Sequence, residues 1–256
     1  MALLDVHFFS KALQVQVSTL VILPEENMGI GVTAGAGDRL PQVLYLLHGY
    51  SDDHTIWLRR TSVERYAAAH QLAVVMPAVN HSFYTNEVQG ERYWDYVSEE
   101  LPGVMHGFFR LSDQPEDTYV CGLSMGGYGA MKLALRHPER FAAAASFSGV
   151  LDIADMSRRT HEASAGMARV FGDLTKLRGS ENDLFRLLMQ NEGAPHKPRL
   201  YVSCGTADFL YGHHGKFCRE AVNRGRQLQR HDEPDASHEW SFWDSQVEYF
   251  LRTYVR

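Results

Sequence analysis

Residues 118–136 read TYVCGLSMGGYGAMKLALR, and this stretch decides the predicted fold. Its first part, Thr118–Cys121, is short, apolar and β-branched, as is typical of a buried strand. Its last part, Gly127–Arg136, has the spacing of apolar residues that indicates a helix. The glycines of Gly122–Gly126, which form G-x-S-x-G, leave room for the strand and the helix to approach each other. The stretch therefore predicts a strand, a sharp turn at Ser124 with unfavourable backbone angles, and a helix.

Similar apolar runs recur along the chain. The central ones lack alternation, as is typical of parallel strands that are buried on both faces of a sheet. These runs are Val43–Leu47, Leu72–Met76, Thr118–Cys121, Ala142–Phe147 and Arg199–Ser203. An earlier run, Val15–Leu23, alternates apolar and polar residues, which predicts a half-buried antiparallel strand near an edge of the sheet.

Segments with helical spacing lie between these runs. They are Ser62–His70, Tyr93–Phe109, Gly127–Arg136, Phe217–Gln229 and Phe242–Leu251. The alternation of strand and helix predicts the α/β class, with a doubly wound and mostly parallel sheet. In such sheets the ligand crevice lies beyond the carboxyl ends of the strands, so residues directly after each strand are candidate site residues.

The length of 256 residues favours one domain with a large buried core. The region 152–193 interrupts the alternation, because it is polar, rich in charge and contains the helical stretch Glu181–Gln190 without an obvious strand. We interpret this region as a helical cap inserted over the site of a single domain, 1–256. The alternative is a surface loop without a role in substrate binding, since insertions in loops are often neutral.

The composition excludes several classes of protein. Hydrophobic residues make up 45% and charged residues 22%, as in ordinary soluble globular proteins. A net charge of −6 without a basic run argues against a nucleic acid partner. No apolar run is long enough to span a bilayer, so no membrane partner is expected. The partly apolar segment Met1–Leu13 lacks the basic start of a signal peptide.

The three cysteines, Cys121, Cys204 and Cys218, are widely spaced. This spacing argues against a disulfide framework and against a zinc site built from paired cysteines. Cys121 and Cys204 each end a strand-like run, which predicts small buried thiols on neighbouring core strands. A reducing, cytoplasmic location is therefore expected.

The predicted turn at Ser124 suits a serine nucleophile. The G-x-S-x-G pattern alone is weak evidence, but its position between a strand and a helix is typical of the α/β-hydrolase fold. Because the helix begins just after the serine, the Met125 amide and the positive end of the helix dipole would face a developing oxyanion. A second backbone donor in this fold follows an earlier strand, where segment 48–50 lies. We predict the amide of Tyr50 for this role, with Ser51 as the neighbouring alternative.

The acid and the base follow the serine along the chain in this fold. The late strand Arg199–Ser203 leads into a loop that contains Asp208, which we predict to be the acid of a catalytic triad. His238 lies on a loop just ahead of the helix Phe242–Leu251, and we predict it to be the general base. The alternatives are an ordinary loop aspartate and a surface histidine.

Three other histidines follow Asp208, but none of them suits the base. His213 and His214 lie too close behind Asp208 to cross back to the serine, and His231 lies in a polar run that indicates a solvent-facing loop. Adjacent histidines can bind metals, yet the sequence contains no H-E-x-x-H helix and no clustered ligand set. We interpret His213 and His214 as a loop pair and expect no metal and no cofactor.

Several short segments together resemble the esterase D branch of the α/β hydrolases, and within it the bacterial tributyrin esterases (EstA-like). The resemblance covers almost the whole chain. Its segments are LLHGY (46–50), SFYTN (82–86), EELP (99–102), GLSMGG (122–127), GSENDL (179–184), CGTADFL (204–210) and HEW (238–240). Tyr50 departs from the small or aliphatic residue that is common after His-Gly in this family, which leaves its backbone role intact but affects the shape of the pocket.

The resemblance implies hydrolysis of short-chain acyl esters, activity on acetylated carbohydrates in some members, no cofactor and frequent homo-oligomers. We therefore expect a serine carboxylesterase that acts on a small-molecule ester through an acyl-enzyme. The alternatives are a thioesterase similar to S-formylglutathione hydrolase, a feruloyl esterase and an acyltransferase. A non-catalytic interaction module is a further alternative, against which the complete set of triad candidates argues.

Five aromatic residues border these positions in the sequence. They are Phe83, Tyr84, Trp94, Phe209 and Trp240. Each could shape an acyl pocket or simply fill the core, so the sequence assigns no substrate-binding role to any of them.

Overall fold

Within residues 1–25, 39–159 and 161–256, which the computed structural model describes except for the side chains of 161–164, eight strands form one sheet. The strands are β1 (Ala2–Ser10), β2 (Val15–Leu23), β3 (Gln42–Leu47), β4 (Leu72–Pro77), β5 (Thr118–Leu123), β6 (Ala143–Phe147), β7 (Arg199–Gly205) and β8 (Leu228–Glu233). Their order is β1-β2-β4-β3-β5-β6-β7-β8. β2 pairs antiparallel with β1 and β4, and the other neighbours are parallel. The predicted mostly parallel sheet is confirmed.

Helices connect the strands. They are α1 (Ile56–Arg60), α2 (Val63–Ala68), α3 (Tyr93–Asp95), α4 (Leu101–Phe108), α5 (Met125–Arg136), α6 (Ile153–Met156), α7 (His161–Phe171), α8 (Leu184–Gln190), α9 (Tyr211–Asn223) and α10 (Trp240–Tyr254). A π-helical turn, Tyr96–Glu100, joins α3 to α4, so the predicted helix Tyr93–Phe109 is continuous. Short 3-10 turns lie at Pro115–Asp117, Pro138–Arg140 and Leu174–Lys176.

Apolar side chains cover both faces of the sheet. On one face, α4, α5, α8 and α9 contribute buried residues such as Met105, Met131 and Phe217. On the other face, α1, α2 and α10 contribute buried residues such as Trp57 and Phe250. Burial of these two layers is the main favourable contribution to folding, and it confirms the predicted doubly wound arrangement.

The two edges of the sheet differ from the sequence-based prediction. The strand β1 was not predicted. The prediction of a helix over Phe217–Gln229 is confirmed as far as Asn223, where α9 ends, and is wrong beyond it, because β8 follows. Gly225, with φ +66, reverses the chain between them. Both strands lie at an edge, where a strand pairs on one side only and shows no continuous apolar run.

The region 152–193 contains α6, α7 and α8, as expected for a helical segment. The three cysteines are buried free thiols, which confirms the prediction made for Cys121 and Cys204. However, Cys121 lies on β5 and Cys204 on β7, with β6 between them, so the expectation of neighbouring strands was wrong.

Gly126→Ala tests how closely α5 approaches the end of β3. A Cβ atom on Gly126 would lie 2.3 Å from the carbonyl oxygen of Leu47 and 2.7 Å from that of His48. Because backbone atoms cannot move aside cheaply, we expect the free energy of unfolding to fall by about 2–3 kcal/mol. Urea denaturation measures this change.

Gly215→Ala is the matched control. No atom lies within 4 Å of a Cβ placed on Gly215 in α9. Alanine favours the helix over glycine, so this variant should gain up to about 1 kcal/mol of stability. A Gly126→Ala protein as stable as the wild type would contradict the inferred contact.

Candidate active site

Ser124 adopts the strained backbone that the sequence predicts. Its φ is 52° and its ψ is −115°, in a region that residues with a side chain rarely occupy. Its amide donates a hydrogen bond of 2.9 Å to the carbonyl of Phe147 on β6, and its carbonyl accepts one from Val150. A strained residue of this kind costs about 1–3 kcal/mol and persists only where the surroundings hold it.

Asp208 and His238 form a hydrogen-bonded pair. Nδ1 of His238 donates to Oδ2 of Asp208 over 2.8 Å, and the amide of Leu210 donates to Oδ1 over 2.8 Å. The Asp208 side chain is fully buried, whereas 23% of the His238 side chain is exposed. With Nδ1 bound to the carboxylate, Nε2 of a neutral imidazole is the nitrogen left to accept a proton.

The surroundings favour an ionised Asp208. Burial by itself would raise the pKa of this carboxyl group, but the hydrogen bond from His238, the charge of that imidazole and the Leu210 amide together lower it. The carboxylate can therefore stabilise a positive charge that develops on His238.

Ser124 and His238 line one cavity of about 600 Å³. Ser124 is half-buried there, and its hydroxyl forms no hydrogen bond within the described residues. In unliganded enzymes the hydrogen bond between a catalytic hydroxyl and its base is often long or poorly aligned. Much of the wall is apolar, and its larger members are Phe83, Met156, Met167, Phe209, Trp240 and Trp243.

The two predicted oxyanion donors, Tyr50 and Met125, line the same cavity, as does the alternative Ser51. Met125 is the first residue of α5, so its amide has no partner within the helix. The contact of Gly126 with the backbone of residues 47–48 brings this helix end beside the segment that carries Tyr50. Both amides are therefore near Ser124, where they could stabilise an oxyanion.

Buried hydrogen bonds hold the segment before Tyr50. Nδ1 of His48 donates to the carbonyl of Gly49 over 2.7 Å, and Nε2 accepts from the amide of Val79 over 3.1 Å. The hydroxyl of Tyr84 donates to the carbonyl of His48 over 2.9 Å. His48 must be neutral to form both of its ring contacts, because Nε2 acts as an acceptor.

Lys132 binds the segment that carries Tyr84. It is fully buried, and its Nζ donates to Oγ1 of Thr85 over 2.7 Å and to the carbonyl of Tyr84 over 3.2 Å. Phe83 and Tyr84 both have positive φ values, 50° and 52°. Lys132 holds Tyr84 directly and Phe83 through Thr85, whose hydroxyl donates to the Phe83 carbonyl over 2.8 Å. Phe83 lines the cavity, whereas Tyr84 holds His48. Burial keeps the pKa of Lys132 well below its ordinary value.

The other three histidines that follow Asp208 do not lie in the loops that the sequence indicated. His213 and His214 belong to α9 and are buried, so their interpretation as a loop pair is wrong. Nε2 of His213 contacts Asp155 and that of His214 contacts Asp232, each over 2.8 Å. His231 lies within β8 rather than in a loop. Among the described residues, no group of three or more histidine, cysteine or acidic side chains is placed to hold a metal ion.

The aromatic residues of the sequence separate into two groups. Phe83, Phe209 and Trp240 line the cavity. Tyr84 is fully buried against His48, and Trp94 packs against Lys132, whose Nζ lies 4.7 Å from the centre of the Trp94 ring.

Five cavity residues were not identified from the sequence. They are Asp52, Val150, Met156, Met167 and Trp243. Trp243 lies one turn of α10 after Trp240, and helical spacing was the signal that could have revealed it. Met156 and Met167 come from the region 152–193, where no motif pointed to them.

The sheet order and the strained serine turn define an enzyme of the α/β-hydrolase class. The chain belongs to the Esterase family, whose model, described as "Putative esterase", matches residues 10–249. It is a carboxylic ester hydrolase. Within the described residues, none of the helices combines the length and the apolar character that crossing a membrane requires.

Similar proteins agree with this class. An acetyl esterase of Caldicellulosiruptor saccharolyticus is 29% identical over 257 residues, which cover 96% of each chain. The substrate-bound fluorophosphonate-binding serine hydrolase F of Staphylococcus aureus superimposes with a TM-score of 0.89 at 32% identity, over 100% of this chain and 98% of that one. S-formylglutathione hydrolase of the same organism gives a TM-score of 0.86 at 32% identity, over 100% and 99%.

Protonation of His48 should destabilise the fold below neutral pH. Burial lowers the pKa of His48 from 6.5 to about 4, so in this range the unfolded chain binds more protons than the folded one. Stability therefore falls as the pH falls, by about 2–3 kcal/mol between pH 7.5 and pH 4.5 for this group. His214, whose pKa burial also lowers to about 4, adds a loss of the same sign.

Urea denaturation at the two pH values measures this loss. The variant His48→Asn cannot titrate, so it should be less stable than the wild type at pH 7.5 and should lose less on acidification. An equal loss in both proteins would show that His48 does not contribute.

Lys132→Met should lower kcat for p-nitrophenyl acetate by about tenfold, because the Phe83–Tyr84 turn would no longer be fixed. Tyr84→Phe removes the hydroxyl that holds His48 and should act in the same direction. If both residues act through one network, the double variant should lose less than the product of the two single effects. A wild-type kcat in Lys132→Met, with urea denaturation confirming the fold, would rule out this role.

Proposed function

We propose that the chain is a serine carboxylesterase that hydrolyses short-chain acyl esters through Ser124, His238 and Asp208. The observation that supports this most strongly is the 2.8 Å hydrogen bond between His238 and the buried carboxylate of Asp208, beside the cavity that contains Ser124. A histidine oriented by a carboxylate and facing a serine is the arrangement that activates a hydroxyl nucleophile.

The proposed reaction has two steps. His238 takes the proton of the Ser124 hydroxyl as its oxygen attacks the ester carbonyl, and the amides of Tyr50 and Met125 stabilise the oxyanion. His238 then gives the proton to the departing alcohol, which leaves an acyl-enzyme on Ser124. Water, activated by His238, attacks the acyl-enzyme and releases the acid, while Asp208 holds the tautomer of His238 throughout.

The lining of the catalytic cavity supports an acyl group as its ligand. Phe83, Phe209 and Trp240 contribute apolar surface to the cavity that contains Ser124. Met156 and Met167 cover it from the region 152–193, which we propose acts as a cap on a single domain. Flexible methionine side chains adapt to acyl groups of different shape.

A thioesterase activity is the second candidate. The 32% identity with S-formylglutathione hydrolase of Staphylococcus aureus over nearly the whole of both chains favours it. The same acyl-enzyme would form from a thioester. Rates on acetate esters and on S-formylglutathione, measured side by side, separate the two candidates.

We also propose a cellular location and an oligomeric state. Three buried free thiols suit a reducing compartment, so we propose a cytoplasmic enzyme. The family resemblance implies a homo-oligomer, which sedimentation analysis would test.

Ser124→Ala should lower kcat for p-nitrophenyl acetate by at least about 10³-fold and abolish labelling by a fluorophosphonate. His238→Ala should have a similar effect on kcat. Asp208→Asn should lower kcat by about 10³- to 10⁴-fold, because the amide favours the wrong tautomer of His238.

Ser245→Ala is the control for these variants. Ser245 lies on α10, where its hydroxyl donates to the carbonyl of Phe242, and it does not line the catalytic cavity. It should keep wild-type kcat and labelling. Labelling that persists in Ser124→Ala would exclude Ser124 as the nucleophile.

A further inference from the structure

A cavity of about 320 Å³ lies at the end of the sheet away from Ser124. We call it the distal cavity, and its lining includes Tyr45, Val97, Ser98, Leu133, His137 and Arg140. Thr118, which begins β5, also lines it, whereas Ser124 follows the end of that strand. Leu133 lies in α5 at about 12 Å along the helix axis from Met125. Within the described part of the chain, no residue lines both the distal and the catalytic cavity.

Two buried hydroxyl groups beside the distal cavity lack a partner. Tyr45 is 5% exposed and Ser98 is 2% exposed, and neither hydroxyl forms a hydrogen bond among the described residues. Nε2 of His137, which lines the same cavity, also has no hydrogen bond there. Burial of an unmatched polar group is costly, so folded proteins keep few of them. A bound molecule would supply the missing partners.

The backbone around Ser98 is also unusual. Ser98 lies in the π-helical turn Tyr96–Glu100, and Val97, Ser98 and Glu99 of this turn all line the distal cavity. π-helical turns are rare, and they occur frequently at functional sites. The turn and the unmatched hydroxyls are independent observations, and both indicate a binding site.

Much of the wall of the distal cavity is apolar. Val97, Leu133 and Phe141 line it and are buried. Its volume of about 320 Å³ lies at the lower end of the range of small-molecule sites. A ligand that fits this lining has a small apolar body and a polar group that can reach the two hydroxyls.

The charges around the distal cavity disfavour an anion. Nη2 of Arg140 donates to both carboxylate oxygens of Glu99, over 3.0 and 3.1 Å, so the positive charge of Arg140 is largely compensated. Two further carboxylates, those of Asp113 and Glu139, line the cavity and belong to exposed residues. These groups would repel an anionic ligand at the mouth of the cavity.

A cation is disfavoured at the hydroxyl end of the cavity. The guanidinium of Arg140 donates to the Ser98 carbonyl over 2.5 Å, and its charge also acts on Tyr45. Burial raises the pKa of Tyr45 by more than the charge of Arg140 lowers it, so the hydroxyl stays protonated and can donate. Burial lowers the pKa of His137, which keeps its imidazole neutral near neutral pH. A neutral ligand avoids repulsion by either charge.

We propose that the distal cavity binds a neutral small molecule that has an apolar body and a hydroxyl group. The hydroxyls of Tyr45 and Ser98 form hydrogen bonds with the ligand hydroxyl, which can both donate and accept. Val97, Leu133 and Phe141 contact the apolar body. This inference goes beyond the proposed function and does not depend on it, because binding in the distal cavity requires no catalytic residue.

Three probes of nearly equal size test the class of ligand. Benzyl alcohol, benzylamine and benzoate share one ring and carry a neutral, a cationic and an anionic group. Titrations followed by NMR measure the Kd of each. Benzyl alcohol should bind at least about fivefold more tightly than either ion, and the amide signals of Val97 and Leu133 should shift. Tighter binding of an ion, or no binding of benzyl alcohol up to its solubility limit, would overturn the proposal.

Tyr45→Phe and Ser98→Ala test the two hydroxyls. Each variant should raise the Kd of benzyl alcohol by about fivefold, as expected for the loss of one neutral hydrogen bond. Because both hydroxyls are unmatched in the free protein, Ser98→Ala should not lower Tm, and Tyr45→Phe should raise it by about 2–4 °C. A purely structural role would instead lower Tm and leave the Kd unchanged. A wild-type Kd in both variants would overturn the assignment of the site.

Tyr119→Phe is the matched control, because Tyr119 is buried on the neighbouring strand β5 and does not line the distal cavity. Its hydroxyl donates to Oε1 of Gln42 over 2.9 Å, so the variant should lower Tm but keep the wild-type Kd. Phe209→Ala changes only the catalytic cavity and should also keep the Kd. A Kd that rises in Phe209→Ala but not in Tyr45→Phe would place benzyl alcohol in the catalytic cavity and overturn the inference.

Discussion

The close approach of α5 to the ends of β3 and β5 is the constraint on which the site depends. A Cβ on Gly122 would lie 2.6 Å from the backbone of Gly126, and one on Gly126 would lie 2.3 Å from that of Leu47. Only residues without side chains allow this contact. The contact forces the positive φ of Ser124 and brings the first amide of α5 beside the segment of Tyr50. Strain in the backbone and preorganisation of the site therefore have the same origin.

Buried polar groups hold the opposite side of the site. Lys132 binds the Tyr84 carbonyl, Tyr84 binds the His48 carbonyl, and His48 joins its own segment to Val79. Each of these groups has been removed from water, so an unmatched member would cost about 1–3 kcal/mol. Such networks tend to specify one arrangement. They also explain why acid should weaken the fold, because a protonated His48 could no longer accept the Val79 amide.

Apolar and polar residues are separated between the catalytic cavity and the cavity beside it. Around Ser124 the wall is largely aromatic and methionine-rich, whereas the adjoining cavity presents Glu87, Asn80 and Arg169. Asp52 lies on the wall that both cavities share. A largely apolar cavity therefore adjoins a more polar one, and the two share the segment that follows β3.

The sequence by itself determined the central parallel strands, the turn at Ser124 and the nomination of Asp208 and His238, because hydrophobic period and glycine placement are local signals. It did not reveal the edge strands β1 and β8, which pair on one side and lack a continuous apolar run. Only the tertiary structure decided that His213 and His214 are buried, that Asp52 lines the catalytic cavity and that Lys132 binds Tyr84 and Thr85. Contacts between residues far apart in the chain leave no periodic pattern, so they emerge only when the chain is folded.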